Sequence, residues 1–259
     1  PHGTAGLSGG SDLSGGDPVL PKLKKRTWAA VIGILLIPAI IAFGVIVLED
    51  RSYYFVSLLI LAVTMLPFLL VFEHRKPMAR ELVLLATLSA LAVAGRAAFF
   101  MLPQFKPVVA IVILTAVTLG PEAGFLVGAV SGFVSNFFFG QGPWTPWQMF
   151  SFGIVGFLAG ILAVRGILPK KRWALCLYGG ITTVVIYGGI MNFSSAILFG
   201  GKLTVKSLLA IYASGVPFDL IHGASTVIFL FFLANPMMEK IGRVQKKYGL
   251  LEEQHLNKK

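Results

Sequence analysis

Long apolar runs separated by short polar or charged stretches fill the chain from residue 28 to residue 234. An α-helix needs about 20 mostly apolar residues to cross the hydrocarbon core of a bilayer. By this measure the pattern predicts eight membrane segments, of which the one at 106–119 is short. They cover residues 28–48, 53–73, 80–101, 106–119, 121–138, 147–164, 173–199 and 214–234.

The stretch 203–213 is apolar but brief, and it predicts a separate interfacial helix before the last span. Ser214 is then expected to cap the last span, because serine is a favoured N-cap residue. Pro217 would lie in the first turn, where a missing backbone N–H costs little.

The same pattern divides the chain into four parts. Residues 1–21 are rich in Gly and Ser, and we interpret them as a flexible tail or a non-native remnant. Residues 22–78 are predicted to form an N-terminal transmembrane hairpin, 79–236 a six-helix core, and 237–259 a basic cytoplasmic tail. The predicted fold class is therefore all-α: a polytopic transmembrane helical bundle whose six-helix core follows an extra two-helix hairpin.

Composition agrees with a membrane protein. Hydrophobic residues make up 56% of the 259 residues and charged residues only 13%, whereas soluble domains carry about 25% charged residues. A soluble single-core domain and a disordered chain are both excluded. The single cysteine, Cys176, excludes an internal disulfide and a cysteine-based metal cluster.

The net charge of +11 could suggest nucleic-acid binding, but the positions of the basic residues favour a role in membrane topology. If the N-terminus is cytoplasmic, 17 Lys and Arg residues fall in inside segments, 4 fall in outside segments, and Arg96 lies within a span. We therefore predict a multi-pass plasma-membrane protein with both termini in the cytoplasm and no nucleic-acid partner.

Two stripes of small residues repeat every four positions, which places each stripe on one helix face. Such faces let membrane helices approach closely. On the third span the stripe serves either internal packing or docking onto another protein, and it consists of Ala86, Ala90, Ala94 and Ala98. On the next long spans internal packing is favoured, for Gly120, Gly124, Gly128, Gly132, Gly156 and Gly160.

Polar residues gather near the predicted outer ends of the spans. Polar side chains within a membrane are costly and mark candidate functional sites. Their restriction to one end favours a pocket open to the outside over a channel. The candidate substrate-binding residues are Arg96, Asn136, Gln141, Trp144, Trp147, Gln148, Asn192, Asp219 and His222, with Ser194 and Ser195 nearby.

Each candidate has a structural alternative. Trp144 and Trp147 could be interfacial belt residues, or they could form pocket walls with the run Phe137–Phe139. Arg96 and Asp219 could form a structural ion pair. His222 could be a hydrogen-bonded packing residue, and Asn136 could cap or brace the following loop.

Catalytic motifs are missing from the sequence. There is no G-x-x-x-x-G-K-[ST], H-E-x-x-H or G-x-S-x-G pattern. Glu122 and Asp219 are predicted at opposite membrane faces, so they cannot act as a catalytic pair. We predict that the chain is not an enzyme and has neither catalytic residues nor a metal site.

Three features resemble the substrate-binding S components of energy-coupling factor (ECF) vitamin transporters. One is the alanine stripe. The second is the helix Gly120-Pro121-Glu122-Ala123-Gly124…Ser135-Asn136 that leads into Gly140-Gln141-Gly142-Pro143-Trp144-Thr145-Pro146-Trp147-Gln148. The third is Pro217-Phe218-Asp219-Leu220-Ile221-His222-Gly223. The resemblance covers about 155 residues of the 259, and the N-terminal hairpin departs from the usual six-helix pattern.

The resemblance implies a fold and a function. An S component binds a vitamin in an outward-facing pocket, docks through its alanine face on a transmembrane T component, and topples to deliver the vitamin inward. Two cytoplasmic ATPases supply the energy, and no cofactor for catalysis is implied. The subgroup looks most like cobalamin S components; riboflavin and a queuosine precursor are alternatives. A self-contained secondary carrier or a membrane assembly protein would be a different class.

Overall fold

The computed structural model describes residues 65–66, 79–199 and 203–249, and these ranges contain helices, turns and loops but no β-strand. The described residues from 79 to 199 and from 203 to 249 contain six helices. Five are long and apolar enough to cross a membrane, which confirms the predicted helical bundle. The helices are α1 (Ala79–Ala98), α2 (Val108–Leu119), α3 (Pro121–Phe139), α4 (Thr145–Val164), α5 (Arg172–Phe199) and α6 (Val205–Lys247).

The first five helices begin and end within three residues of the predicted spans. The predicted hairpin at 22–78 and the tail at 1–21 lie outside the described residues, apart from Met65 and Leu66, which are helical.

Helix α2 lies at the centre of the bundle, where it packs against α3, α4 and α6. Its residues from Val108 to Val117 are all buried. Its 12 residues extend about 18 Å, which is shorter than the hydrocarbon core. A helix that is apolar on every side is normally buried on every side by neighbouring helices.

Glycines allow α3 and α4 to cross closely. A Cβ atom added at Gly128 would lie 2.6 Å from the carbonyl carbon of Phe152, and one at Gly160 would lie 2.4 Å from the Cα of Pro121. The predicted packing role is confirmed for Gly124, Gly128, Gly132, Gly156 and Gly160.

Gly120 has a different role from the other glycines of its stripe. It lies between α2 and α3 with φ of 106°, and its N–H caps α2 at the carbonyl of Ala116. Glycine adopts this backbone conformation without steric cost, and Pro121 then begins α3. Gly120 therefore makes the turn between the helices and does not pack a crossing.

Helix α5 contains a π-helical turn. Its α-helical parts, Arg172–Thr182 and Gly189–Phe199, are joined by π-helix at Thr183–Gly188. Single π-helical turns inside α-helices occur often at functional sites. This one carries Tyr187, which is buried against α4.

Helix α6 is longer than predicted. It begins after Thr204, whose side chain accepts from the Ser207 N–H in a capping box. The Ser214 hydroxyl donates to the Ile211 carbonyl inside the helix. The separate helix at 203–213 and the Ser214 cap were therefore wrong predictions.

The same helix runs through Pro217 and Pro236, which transmembrane helices tolerate because neighbouring groups satisfy the freed carbonyls. It continues to Lys247, so the first residues of the predicted tail 237–259 are helical. Met237, Ile241 and Gln245 pack this part onto the bundle, where the Gln245 amide donates to the Thr118 carbonyl at 3.2 Å.

The bundle has two ends, which we name by their residues. The Arg96 end contains the α1–α2 loop (99–107) and the α3–α4 loop (140–144), and the Gly120 end contains the α2–α3 turn. That the Arg96 end faces outside stays a sequence-based prediction.

Candidate functional site

Arg96 is the centre of a polar cluster at the Arg96 end. It lies in the last turn of α1 and is half-buried. Its guanidinium donates to the side-chain oxygens of Ser135, Asn136 (2.9 Å) and Gln148 (3.4 Å). It also lies 4.7 Å from the centroid of the Phe139 ring, a cation–π geometry. All three polar partners are neutral side chains.

Thr145 connects Asn136 to the α3–α4 loop. The Asn136 amide nitrogen donates to the Thr145 hydroxyl at 3.0 Å, and that hydroxyl donates to Gln141 at 2.9 Å. The Gly142 N–H also donates to Thr145, at 3.2 Å. The alternative that Asn136 braces this loop is therefore confirmed, and the same amide directs its oxygen at Arg96.

Gln148 extends the cluster to α5. Its amide oxygen accepts from Arg96, and its nitrogen donates to the Tyr187 hydroxyl at 3.1 Å. The Tyr187 ring stacks on Phe152 with centroids 4.7 Å apart, and the His222 ring meets it edge-on at 4.6 Å. The π-helical turn of α5 thus holds a hydroxyl between α4 and α6.

His222 is buried, with 3% of its surface exposed, and neither ring nitrogen has a hydrogen-bond partner among the described residues. The alternative of a hydrogen-bonded packing residue is therefore wrong. It also lies five turns into α6 rather than in the first turns of the last helix. Buried polar groups normally have hydrogen-bond partners. The two His222 nitrogens therefore indicate a position where a hydrogen-bonding group could bind.

Asp219 lies one turn before His222, and it is paired with Asn192 of α5. The Asn192 amide donates to the Asp219 carboxylate at 2.7 Å. Since Arg96 bonds other side chains, the alternative of an Arg96–Asp219 ion pair is wrong. The pair fits because Gly188 and Gly215 leave room: a Cβ at Gly188 would lie 2.5 Å from the Asp219 carboxyl carbon, and one at Gly215 2.2 Å from the Asn192 amide oxygen.

The aromatic candidates separate into buried and exposed residues. Trp147 is 2% exposed and meets Phe193 edge-on, so it is not a belt residue. Trp144 is partly buried, 6.5 Å from the Phe199 ring centroid. Phe137 and Phe138 are exposed and do not form walls of the cluster. Only Phe139 of that run contacts it, beside Arg96.

Lys106 closes the α1–α2 loop near the cluster. Its ammonium donates to the carbonyls of Phe99, Phe100 and Leu102 just beyond the end of α1, and its own carbonyl accepts from Ser225 of α6 at 3.0 Å. Burial and the nearby positive charge of Arg96 lower the pKa of Lys106. Its charge is already solvated by backbone carbonyls.

Ser135, Thr145 and Tyr187 belong to the cluster but were not predicted as site residues. Thr145 lies inside the quoted loop motif, which was a signal for it. Ser135 was likewise quoted, beside Asn136, in the helix motif. Tyr187 lies in an apolar span, 39 positions from its partner Gln148. Ser194 is buried without a hydrogen-bond partner in the described part of the chain, and the Ser195 hydroxyl bonds its own helix.

The four alanines of the α1 stripe, Ala86, Ala90, Ala94 and Ala98, are all exposed, while Ala92 on the opposite face is buried. The stripe therefore does not pack inside the described bundle. Among the described residues, no group of three His, Cys, Asp or Glu side chains could hold a metal ion.

Polar residues inside a membrane-type bundle mark a candidate functional site, so the fold and the connected polar cluster indicate a membrane protein with a candidate site for a small polar molecule. Residues 76–239 match the family described as the ECF-type riboflavin transporter, S component. The chain belongs to this family of S components. It is accordingly a vitamin-binding membrane subunit of an ECF transporter, a family whose members work with a T component and ATPases.

The chain is also similar to UPF0397 proteins of Vibrio and Aliivibrio species. It is 33% identical to one from Vibrio atlanticus (strain LGP32) over 150 residues, which are 53% of this chain and 82% of the relative. It is 31% identical to one from Aliivibrio salmonicida (strain LFI1238) over 150 residues, 53% and 81% of the two chains. No solved structure matches. The cobalamin subgroup is not confirmed by these matches.

Proposed function

We propose that the chain captures a vitamin at the Arg96 end and delivers it inward by toppling while docked on a T component. Two cytoplasmic ATPases would drive the cycle. One observation carries the proposal: a continuous series of hydrogen bonds links Gln141, Thr145, Asn136, Arg96, Gln148 and Tyr187 across four helices.

The energetic cost of this cluster supports a binding role. Polar groups inside a membrane protein are expensive unless they are fully paired. The helical interior holds Arg96 and, beside the cluster, the two His222 nitrogens, which have no hydrogen-bond partner among the described residues. Groups that only packed the helices could be apolar at no loss, so we assign the cluster, with Asn192 and Asp219, to the substrate.

Two vitamins are proposed as substrates. Cobalamin follows from the resemblance of the chain to cobalamin S components, and riboflavin is the vitamin in the description of the matching family. A queuosine precursor is the third candidate. All three carry planar rings that buried aromatic side chains such as Trp147 and Phe152 suit.

The alanine stripe of α1 is proposed as the face that docks on the T component. Its four alanines are exposed, and small residues let a partner helix approach closely. A self-contained secondary carrier would instead transport its substrate in liposomes without ATP, and a membrane assembly protein would show no saturable binding of any vitamin.

A thermal-shift assay on the purified full chain tests the proposal. The probes are riboflavin, cyanocobalamin, cobinamide and 7-cyano-7-deazaguanine. A ligand that binds only the folded state stabilises it by RT ln(1 + [L]/Kd), about 2.7 kcal/mol at one hundred times Kd. We expect one probe to raise the melting temperature in a saturable way.

The matched variants are Gln148→Met and Gln245→Met. Both glutamines are 8% exposed, but Gln148 belongs to the cluster and Gln245 lies at the Gly120 end. We expect Gln148→Met to remove the ligand-induced shift and Gln245→Met to keep it. No shift with any probe, or an equal shift in both variants, would overturn the proposal.

A further inference from the structure

Helix α4 is buried on two opposite faces, and each face belongs to a different cluster of apolar side chains. Val155 and Ala159 lie on one face, in the cluster that surrounds α2. Phe150, Ile154 and Phe157 belong to a second cluster. Their spacing of four and three positions places these three side chains together on the other side of the helix. We call this surface the Phe150 face, and it is turned away from the central helix α2.

The Phe150 face is covered, although it is turned away from the centre of the bundle. Its three side chains are 6%, 4% and 6% exposed for Phe150, Ile154 and Phe157. Helix α5 contributes Ile197 and Leu198 to the cluster, both from its last turn at the Arg96 end. Phe157 lies 12 residues into α4, about 18 Å from that end. Cover at this depth therefore needs a further element.

Met65 supplies a side chain to this cover. It is 7% exposed and is a buried member of the same cluster, whose other buried members all belong to α3, α4 or α5. The next residue, Leu66, is 53% exposed. Both residues are helical, so adjacent side chains point in different directions. The contrast between them is that of a helix with one side packed against the bundle.

The depth of this contact fits two membrane helices that lie side by side. Met65 is near the middle of the span predicted at 53–73, and Ile154 is near the middle of α4. The middles of two helices that each cross the hydrocarbon core lie at the same depth. The predicted span would then end at the Gly120 end, where α1 begins at Ala79.

The alanine stripe of α1 lies on a different surface. Helix α1 packs on α2 and α3, and its buried residues Leu85, Leu88 and Ala92 belong to the cluster around α2. Among the described residues, α1 contributes no buried member to the Met65 cluster. A segment that covers the Phe150 face therefore leaves the stripe exposed.

We propose that the N-terminal part of the chain, residues 22–78, docks on the Phe150 face of α4 through Met65 and moves with the six-helix core as one body. The docking rests on the packing of Met65, while the joint movement also rests on the proposed function. The occupant of this face is then the same chain, and the T component is left with the alanine stripe.

Short-range crosslinking in the full chain tests the docking. Met65→Cys is combined in turn with Phe150→Cys, Ile154→Cys and Phe157→Cys, and the chain with Met65→Cys alone controls for the native Cys176. Dibromobimane joins two thiols only when they lie close together. Cutting at a protease site inserted between residues 75 and 76 then shows on a denaturing gel whether the two parts are joined. We expect at least one of the three pairs to be joined.

Leu66→Cys with the same three partners is the matched control, because Leu66 is the next residue but is exposed. We expect a severalfold lower joined fraction. Equal joining from both positions overturns the docking, and so does a product of doubled mass, which would assign the face to a second copy. If the cysteine variants do not fold, thermal unfolding of Met65→Ala and Leu66→Ala decides the question. Only Met65→Ala is expected to lower the melting temperature, and equal changes contradict the docking.

Uptake by the whole transporter tests the joint movement. Vesicles that hold the chain with its T component and ATPases receive ATP and radiolabelled riboflavin or cyanocobalamin, before and after crosslinking. We expect the joined chain to keep its uptake, with the treated Leu66→Cys variants as controls for the reagent. A loss in proportion to the joined fraction overturns the joint movement and leaves vitamin capture standing. No uptake before crosslinking contradicts the proposed function, while the gel still decides the docking.

Discussion

The alanine stripe of α1 and the glycine stripe of α3 have the same four-residue spacing, but the structure uses them in opposite ways. At the glycines, α4 lies so close that an added Cβ would meet backbone atoms, 2.6 Å from the Phe152 carbonyl carbon at Gly128. At the alanines no helix of the described bundle covers the stripe, and all four are exposed. Equal spacing therefore predicts a close approach but not which surface makes it.

The difference follows from how small the residue is. A glycine lets two backbones touch, which is useful only where a partner helix is permanently present. An alanine gives a smooth surface without requiring contact, and it also has the highest helix propensity. A face that must be stable both with and without a partner is better built from alanine.

Gly128→Leu is expected to have the largest effect. The new side chain would collide with the α4 backbone at Phe152 and Gly153, and neither helix can move without disturbing α2. Overpacking costs about 1–3 kcal/mol and more where backbone must shift. We expect a loss of stability above about 3 kcal/mol or no folded protein, measured by thermal unfolding in detergent. A wild-type melting temperature would contradict the close crossing.

Ala92→Leu tests the buried face of α1. Ala92 is 0% exposed, but its neighbours are side chains that can partly adjust. We expect a destabilisation of about 1–3 kcal/mol in the same unfolding assay. A change as small as that of an exposed substitution would show that α1 does not pack on the bundle through this face.

Gly132→Ala tests the edge of the glycine stripe. Its Cβ would lie 3.2 Å from the Cα of Met149, so a shift of a few tenths of an ångström accommodates it. Replacing a helical glycine by alanine gains up to about 1 kcal/mol. We expect a net change below about 1 kcal/mol, with the sign read from the melting temperature. A loss equal to that of Gly128→Leu would mean that the helices cross closely along their whole length.

Ala90→Leu with Ala94→Leu is expected to change stability least, within about 0.5 kcal/mol, because both positions are exposed. If the stripe docks on the T component, vitamin uptake by cells that make the whole transporter is lost while vitamin binding is unchanged. Ala224→Leu, at an exposed alanine of α6, is the control. Normal uptake by the double variant would remove the docking role.

The order of the helices could be predicted from the sequence because membrane spans are continuous apolar runs. The ends of helices were harder to predict where two capping signals competed. Ser214 precedes a proline and resembles a cap, but Thr204 with Ser207 forms the actual capping box. The apolar stretch at 203–213 belongs to the same helix from Val205 onward. This first part of α6 packs on α5, where the Tyr212 hydroxyl donates to the Gly189 carbonyl at 2.8 Å.

The candidate site was predictable as a group of residues but not as a set of contacts. Asn136 and Gln148 stood out because amides are rare in spans. Tyr187, the partner of Gln148, and Ser135, a partner of Arg96, did not, since a hydroxyl becomes important only when folding places it beside an arginine or an amide. The π-helical turn that holds Tyr187 also has no sequence pattern of its own.

Helix α6 has a mechanical consequence. Its 43 residues make a rod about 64 Å long, about twice the thickness of the hydrocarbon core. A tilt of about 20°, ordinary for a membrane helix, moves each end of such a rod sideways by about 11 Å. The same helix carries Asp219 and His222 and, toward its other end, Gln245, whose amide donates to the last turn of α2. A force that tilts α6 at one membrane surface therefore also displaces the end of the helix at the other surface.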